Sequence, residues 1–188
     1  MRVLIAEDEA LIRLDLRLLL VRAGLTVCAE ASDGLEAVEL AREAGPDLAV
    51  LDVKMPRLDG IEAARRMTSE RPIPIVIVSA YSELALVRRA AEAGVYGYLS
   101  KPFREEDLLP AIATARARFD ELAATRDEVQ SLEEALAARK AIERAKGILM
   151  QKERLSEDEA FVRLRKASQV SGRSMKVIAD AVIATLAE

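Results

Sequence analysis

Residues 51–60 read LDVKMPRLDG, in which an apolar run that starts at Leu48 ends on the acidic Asp52 and gives way to a turn containing Pro, Asp and Gly. A short aliphatic run bounded by such turn residues is typical of a buried strand. Similar runs occur at residues 3–6, 25–29, 73–78 and 95–99. The first half of the chain therefore contains five predicted strands.

Amphipathic stretches separate these runs. The first is marked by an apolar stripe ahead of Gly24, which consists of Leu11, Leu14, Leu18 and Val21. The second opens with capping-box-like spacing at 33–36 and ends at Gly45, and the others cover 60–71, 82–94 and 104 onward. Five strand–helix alternations predict an α/β fold, a doubly wound parallel sheet with helices on both faces.

Charged and hydroxyl side chains stand at the predicted strand ends, where open parallel sheets collect ligands. If strands one and three are neighbours, Asp8 and Asp52 converge. Close carboxylates repel each other unless a hard cation lies between them, and Mg²⁺ prefers such oxygen ligands. A carboxylate can also attack phosphorus, while the ammonium of Lys101 and the hydroxyl of Ser79 could contact the phosphoryl oxygens. The pattern predicts phosphoryl chemistry at Asp52.

No strand is predicted after residue 99. A long helix is expected from residue 104, with a coiled-coil seam formed by Leu122, Val129, Leu132 and Leu136, although this stripe could also be the edge of a helical bundle. A three-helix segment covers 139–188; its first helix continues the linker helix through Leu149, and the second opens with a capping box at 156–159. We predict domains at 1–118 and 139–188, joined by a helical linker at 119–138.

Charge is distributed unevenly along the chain, whose net charge is -4. Residues 1–130 hold 17 Lys and Arg against 23 Asp and Glu, whereas residues 139–176 hold 11 against 5. A basic rear segment indicates either a solvated helical surface or a nucleic-acid interface. Gly147 lies inside a predicted helix, where it suggests close approach of another helix or of a ligand backbone, or else a tolerated defect.

Several classes of protein are excluded or disfavoured by composition. The chain has no histidine, which excludes histidine-based zinc sites, a catalytic triad and an internal phosphohistidine relay. Its single cysteine, Cys28, cannot form an internal disulfide and is expected to be buried and reduced. The first residues enter a strand and no apolar run is long enough to span a membrane, so a cytoplasmic location is expected.

The ordered motifs VLIAEDE, LDVKMPRLDG, IVIVSA and YLSKPF resemble those of response-regulator receiver domains over residues 2–118. The resemblance implies strand order 2-1-3-4-5 and phosphorylation of Asp52 by a sensor histidine kinase. It also implies a magnesium site made by Glu7, Asp8, Asp52 and the backbone carbonyl of Lys54, with phosphoryl-binding and switch positions at Ser79, Tyr98, Lys101 and a cis Pro102. The family usually has Asp at the position of Glu7. Residues 81–94 are the expected moving element.

The rear segment carries a second resemblance. Residues 141–168, AIERAKGILMQKERLSEDEAFVRLRKAS, and residues 175–183, MKVIADAVI, resemble the ANTAR output domain, a three-helix RNA-binding module. This implies binding to paired stem-loops in leader RNA and transcription antitermination. The family often has Ala-Met at positions 168–169. The expected RNA contacts are Lys146, Arg165 and Lys166, followed by Arg144 and Arg173, with Phe161 expected in the core.

Together these features predict a response regulator that acts as an antiterminator, forms a phosphorylation-promoted homodimer and catalyses nothing beyond phosphorylation and dephosphorylation of its own Asp52. Three alternatives remain: two assign another ligand to the C-terminal tail, and the third assigns another reaction to Asp52. A helix-turn-helix-like tail around 174–183 would bind DNA, and a tail that recognises only a polypeptide would show no salt-dependent RNA affinity. An aspartate-nucleophile phosphatase would need an acid two positions after Asp52, where Lys54 stands.

Overall fold

The structure is a computed structural model that describes residues 1–80 and 84–186. Its five strands are β1 Arg2–Ala6, β2 Thr26–Ala31, β3 Leu48–Asp52, β4 Ile75–Ser79 and β5 Gly97–Ser100. Its helices are α1 Ala10–Arg22, α2 Gly34–Ala44, α3 Gly60–Glu70, α4 Leu84–Glu92, α5 Glu105–Glu153, α6 Glu157–Ser171 and α7 Met175–Leu186. The chain divides into two compact units, Met1–Ala123 and Ala124–Glu188.

The first unit contains a parallel five-stranded sheet with strand order β2-β1-β3-β4-β5, as predicted. Every residue of β3 and β4 is buried, which requires a cover of helices on both faces. One face packs against α1 and α5 through Leu16, Leu20, Leu108, Ile112 and Ala115. The other face packs against α2, α3 and α4. The doubly wound architecture is confirmed.

The first helix lies where it was predicted, but its apolar stripe faces outward. Leu11, Leu14, Leu18 and Val21 are exposed, and the side chains that enter the core are Leu16 and Leu20. Since α1 is rich in leucine all round, periodicity identified the helix without identifying the buried face. The outcome leaves α1 with an exposed row of aliphatic side chains.

Short polar side chains fix the starts of α2 and α3. The carboxylate of Asp33 accepts hydrogen bonds from the backbone N–H groups of Leu35 and Glu36, which caps α2. The expected reciprocal contact of a capping box is displaced by one residue, because Glu36 accepts from the backbone N–H and the hydroxyl of Ser32. Gly45 ends α2 with a φ of 54°, as a left-handed helix stop requires.

The fourth helix was predicted over residues 82–94 and is observed at Leu84–Glu92. Residues 82–83, and with them the first part of the expected moving element at 81–94, lie outside the described residues. The buried residues Ala90 and Ala93 attach this helix region to the core of the sheet.

Helix α5 is a single continuous helix of 49 residues. In the second unit its last turns pack with α6 and α7 around a small core of Ala145, Leu149, Ala160, Leu164 and Ala179. A full capping box at Ser156 and Glu159 starts α6, as predicted, and Gly172 ends it with a φ of 68°.

Two side-chain placements differ from the sequence-based expectation. Phe161 was expected in the core, but it is 40% exposed, because Ala160 and Leu164 occupy the inward face of α6. Cys28 was expected to be buried; it is a free cysteine of intermediate exposure whose thiol donates to the carbonyl of Val3.

Among the described residues, no helix has both the length and the apolar character needed to cross a membrane.

Candidate functional site

Three carboxylates meet at the carboxyl edge of the sheet in the first unit. Glu7 and Asp8 follow β1, and Asp52 is the last residue of the neighbouring β3, where Ala6 is in register with Leu51. One oxygen from each of the three groups lies within 4.8 Å of the others. Glu7 and Asp52 are buried, whereas Asp8 is exposed. The structure thus brings together the carboxylates that the sequence placed on strand ends.

Lys101 reaches this acidic cluster from the end of β5. Its ammonium lies 2.7 Å from Oε2 of Glu7 and 3.2 Å from Oδ2 of Asp52. The Lys101–Pro102 peptide bond is cis, and the backbone N–H of Lys101 donates to the carbonyl of Ser79 at 2.7 Å. The backbone therefore fixes the lysine at the end of the sheet, with its charge between two carboxylates.

Burial dominates the acid–base behaviour of the cluster. It raises the pKa of Glu7, an effect that the hydrogen bond from Lys101 opposes and the charge of Asp52 reinforces. Burial also raises the pKa of Asp52, again opposed by Lys101. For Lys101, burial alone would lower the pKa, but the hydrogen bond to Glu7 and the charge of Asp52 raise it. One ammonium group cannot neutralise three carboxylates, so the cluster retains an excess of negative charge suited to a hard cation.

The remaining predicted residues of this edge lie close by in the fold. Ser79 is buried at the end of β4, directly beside Asp52 in the strand order. Tyr98 lies in β5, half-buried, and packs against the core on the side of α2, α3 and α4. Lys54 is exposed in the loop that follows β3.

Sequence reasoning missed how the loop after β3 is held. Arg57 has a φ of 62° and forms an ion pair with the buried Asp33. A Cβ at Gly60 would overlap the backbone carbonyl of Asp52, and a Cβ at Gly34 would overlap that of Leu58. The glycines in LDG and DGL were visible signals of close backbone packing, whereas nothing local in the sequence pairs Arg57 with Asp33.

The ion pair between Arg57 and Asp33 affects the pKa of Asp33. Burial alone would raise the pKa of Asp33, but the hydrogen bond from Arg57 and those from the N–H groups of Glu36 and Leu35 lower it. Asp33 is therefore a charged group that stabilises the folded state as an ion, unlike the two buried carboxylates of the acidic cluster.

In the second unit, four of the five predicted RNA contacts are exposed. Within the described part of the chain, no ion pair engages the side chains of Arg144, Arg165, Lys166 or Arg173. These groups are available to phosphates. Arg165 follows the exposed Phe161 by four residues along α6, so the two side chains share one helix face.

Lys146, the first of the predicted contacts, has a different environment. It is only 8% exposed, and its ammonium lies 2.6 Å from Oε1 of Glu157 and 3.1 Å from Oε2 of Glu143. The hydrogen bonds that it donates to Glu157 and Glu143 raise its pKa. Lys146 therefore ties α5 to the first turn of α6, and contact with an RNA phosphate would require release of a carboxylate.

Gly147 is exposed, and a Cβ built on it would meet no atom within 4 Å among the described residues. Close approach of another helix of this unit is therefore not the reason for the glycine. Approach of a ligand backbone and a tolerated defect are the explanations that remain from the sequence.

The predicted seam in α5 is solvent-exposed. Between 46% and 64% of the surface of Leu122, Val129, Leu132 and Leu136 is accessible. These residues are not the covered edge of a bundle within the described chain.

Comparison with known proteins places both units in families. The family model of the response regulator receiver domain matches residues 3–113, and that of the ANTAR domain matches residues 130–183. The transcriptional regulatory protein PdtaR of Mycobacterium tuberculosis is 50% identical over 185 residues, covering 98% of this chain and 90% of that protein. The chemotaxis protein CheY of Bacillus subtilis is 37% identical over 112 residues, covering 59% of this chain and 93% of CheY.

Solved structures agree with the sheet topology of the first unit. A two-component response regulator of the LuxR family from Aurantimonas sp. SI85-9A1 is 35% identical with a TM-score of 0.59, covering 62% of this chain and 84% of that one. A response regulator receiver domain protein from Clostridium thermocellum is 29% identical with a TM-score of 0.59, covering 64% and 98%. The chain belongs to the response regulator family and combines a receiver domain with an ANTAR domain.

Proposed function

We propose that this response regulator is phosphorylated on Asp52 by a sensor histidine kinase and then acts as a transcription antiterminator by binding paired stem-loops in leader RNA. One observation carries the proposal: Asp52 ends β3 inside an acidic cluster with Lys101, in the same chain as a unit whose basic side chains Arg144, Arg165, Lys166 and Arg173 are exposed. The relative PdtaR is a transcriptional regulatory protein, which supports a role in the control of transcription.

The acidic cluster suits a magnesium ion. Glu7, Asp8 and Asp52 would hold it together with the backbone carbonyl of Lys54, and its charge would offset that of Glu7 and Asp52, whose pKa values are raised by burial. Bound Mg²⁺ would neutralise charge on the transferring phosphoryl oxygens. The longer side chain of Glu7 keeps the charge of the Asp that the family usually has there.

The two oxygens of Asp52 have different environments. Oδ1 accepts a hydrogen bond from the backbone N–H of Val53 at 2.8 Å, and Oδ2 faces the ammonium of Lys101. A carboxylate oxygen of Asp52 forms the new bond to phosphorus as the bond between phosphorus and the kinase's histidine nitrogen breaks. Lys101 balances the charge of the product, and Ser79 contributes a hydroxyl beside it. The chain thus modifies itself and acts on no foreign substrate.

The phosphoryl group adds about -1.5 to -2 charges at a buried site, which biases the packing around it. Ser79 lies on β4, the strand next to that of Asp52, and Tyr98 lies on β5, one strand further, where it packs against the core that includes Ala90 of α4. We propose that the segment 81–94 moves in response; its first residues, 81–83, lie outside the described residues.

Three features of the second unit support RNA as its ligand. The exposed groups Arg144, Arg165, Lys166 and Arg173 supply charge for phosphates, and Phe161 supplies a stacking surface for an unpaired base. Lys146 remains a predicted contact, but it could bind an RNA phosphate only after its ion pair with Glu143 or Glu157 is broken. Exposure of Gly147 leaves room for an RNA backbone at α5.

The exposed seam of α5 supports a phosphorylation-promoted homodimer. An exposed apolar row along a helix is covered most simply by the same row of a second copy. Two copies provide two RNA-binding units for two stem-loops. The proposal places the protein in the cytoplasm, where kinase and nascent RNA meet.

A competition experiment separates this proposal from DNA binding and from pure protein binding. The phosphodonor-treated chain is titrated with an RNA carrying two tandem stem-loops and with duplex DNA of equal length, at several salt concentrations. We expect preferential, salt-dependent binding to the RNA. Preference for the duplex would favour the helix-turn-helix alternative, and absence of binding to both would favour a polypeptide partner.

A further inference from the structure

We propose that the linker segments of two copies pair in antiparallel orientation, with Val129 of one copy packed against Leu132 of the other. The inference rests on the proposed dimer and adds its orientation and register. It follows from the charges that flank the exposed seam.

The seam has two rows, seven residues apart along each. One row consists of Leu122, Val129 and Leu136, and the other of Thr125, Leu132 and Arg139. Beside them lie Arg126 and Glu133 on one flank and Glu121 and Glu128 on the other. In the part of the chain that the structure describes, neither Arg126 nor Glu133 takes part in an ion pair, so both are available to a second copy.

A parallel pair is disfavoured by two contacts. In that orientation each residue of a row faces its own copy, which would set Arg139 against Arg139 inside the seam. Glu128 of each copy would also face Glu133 of the other copy, which gives two Glu–Glu contacts in each dimer. The contact of Glu121 with the partner's Arg126 would be favourable, but it would be offset by the two glutamate pairs.

An antiparallel pair removes both conflicts. Residues of one row then face the other row, so Val129 meets the partner's Leu132, Thr125 meets Leu136, and Arg139 meets Leu122. The aliphatic part of Arg139 can cover Leu122 while its guanidinium extends into water. Arg126 faces the partner's Glu133, which gives two opposite-charge pairs in each dimer.

The same charges select one register. A shift by one heptad in one direction would oppose Arg126 to Arg126, and a shift in the other direction would oppose Glu133 to Glu133. Both shifts would also lose apolar layers at one end of the seam. The register centred between Val129 and Leu132 is thus the one in which packing and charge agree.

The seam is short, about 27 Å at the rise of an α-helix. A coiled coil of this length is marginal in isolation, which fits a dimer that forms only when phosphorylation adds a further contribution. Because the paired segments run in opposite directions, the two RNA-binding units leave the seam at opposite ends. The two stem-loops would then be held apart rather than in contact.

A single substitution distinguishes the two orientations by the sign of its effect. In the antiparallel pair, Glu133→Arg creates two Arg–Arg contacts, so the dimer dissociation constant of the phosphodonor-treated full chain should rise roughly tenfold. In a parallel pair the same change removes the glutamate repulsion and tightens the dimer. The double variant Arg126→Glu with Glu133→Arg should restore the antiparallel dimer. Sedimentation equilibrium measures all three.

Disulfide trapping gives an independent test of the register. In a Cys28→Ser background, Thr125→Cys and Leu136→Cys chains are mixed, treated with phosphodonor and oxidised. The antiparallel pair predicts the mixed disulfide, since the two positions face each other, and an Ala124→Cys control on the outer face should stay unlinked. Self-pairing of Thr125→Cys chains would overturn the proposal while leaving the dimer intact. A wild-type chain that is phosphorylated on Asp52 yet stays monomeric would overturn both.

Discussion

Glu7 and Asp52 are buried carboxylates that share one ammonium group, an arrangement that costs stability and serves chemistry. Burial raises the pKa of both, so the folded chain holds protons that the unfolded chain releases between the ordinary carboxyl pKa and the raised one. The free energy of unfolding therefore falls as the pH rises through that interval. Asp33 has the opposite sign, because its pKa is lowered and its contribution is lost as the pH falls.

The first prediction concerns Asp52→Asn. Removing one buried negative charge should raise the free energy of unfolding at pH 7.5 by on the order of 1 kcal/mol in metal-free buffer, and should flatten its dependence on pH. Urea denaturation over a pH series measures both quantities. Asp8→Asn, at an exposed carboxylate, is the matched control and should change stability less. A wild type that is more stable than Asp52→Asn at pH 7.5 without metal would contradict the electrostatic account.

The second prediction concerns the proposed RNA-binding face of α6. Arg165→Gln and Phe161→Leu should each weaken binding to the tandem stem-loop RNA by about 1–3 kcal/mol, through loss of a phosphate contact and of base stacking respectively. Arg163→Gln is the matched control, because Arg163 lies on the same helix as Arg165 but is already paired with Glu153 at the end of α5. Gel-shift titrations at fixed salt compare the three. Equal losses in Arg165→Gln and Arg163→Gln, with no loss in Phe161→Leu, would indicate that only net charge matters.

At the residue scale, sequence reasoning succeeded where a residue's position on a strand end determined its surroundings. Asp52, Ser79 and Lys101 meet because parallel strands end at one edge, so their convergence follows from the strand pattern. It did not anticipate that Lys146 is buried between Glu143 and Glu157, because a partner 11 residues away on another helix depends on how two helices pack.

At the scale of elements, periodicity predicted whether a segment is a helix or a strand more reliably than it predicted which face of a helix is buried. In α1 the predicted stripe is exposed, since leucines on several sides of the helix satisfy the same spacing. In α6, Phe161 was grouped with Ala160 and Leu164, but only those two residues face inward. Where one residue type is frequent all round a helix, the choice of face is made by the neighbouring elements.

The third prediction concerns two glycine substitutions that should have opposite effects on stability. Gly147→Ala should stabilise the second unit by about 1 kcal/mol, because the site is exposed, helical and open. Gly60→Ala should destabilise the first unit by more than about 2 kcal/mol, since its Cβ would overlap the carbonyl of Asp52. Thermal unfolding measures both. If Gly147→Ala also weakens RNA binding while stability rises, the glycine serves an approaching RNA backbone; a destabilised Gly147→Ala chain would contradict the open geometry.

For the whole molecule, the parallel sheet and the position of the acidic edge could be predicted because they depend on repeated local patterns and general rules of parallel sheets, whereas the strand order was implied by the resemblance to receiver domains. The length of α5 could be predicted from the absence of proline in its interior after Pro110. The ion pair of Arg57 with Asp33 could not be predicted, because it depends on a left-handed backbone at Arg57.

The fourth prediction tests the seam at this scale. Leu132→Asp should abolish phosphodonor-induced dimerisation without changing the thermal stability of the resting chain, since Leu132 is exposed and buries nothing within it. Leu18→Asp, at another exposed leucine, is the control and should leave dimerisation unchanged. Light scattering with and without phosphodonor gives the masses. Dimers of Leu132→Asp at wild-type strength would place the interface elsewhere.

The central claim is that chemistry at Asp52 controls RNA binding by the second unit. It is tested most directly by the affinity for a tandem stem-loop RNA, chosen from RNA crosslinked to the protein, with and without a small-molecule phosphodonor and Mg²⁺. The account predicts that the phosphodonor tightens binding of the wild type at least tenfold, about 1.4 kcal/mol, and leaves Asp52→Asn unchanged. Equal affinity of the phosphorylated wild type, the resting wild type and Asp52→Asn would contradict it.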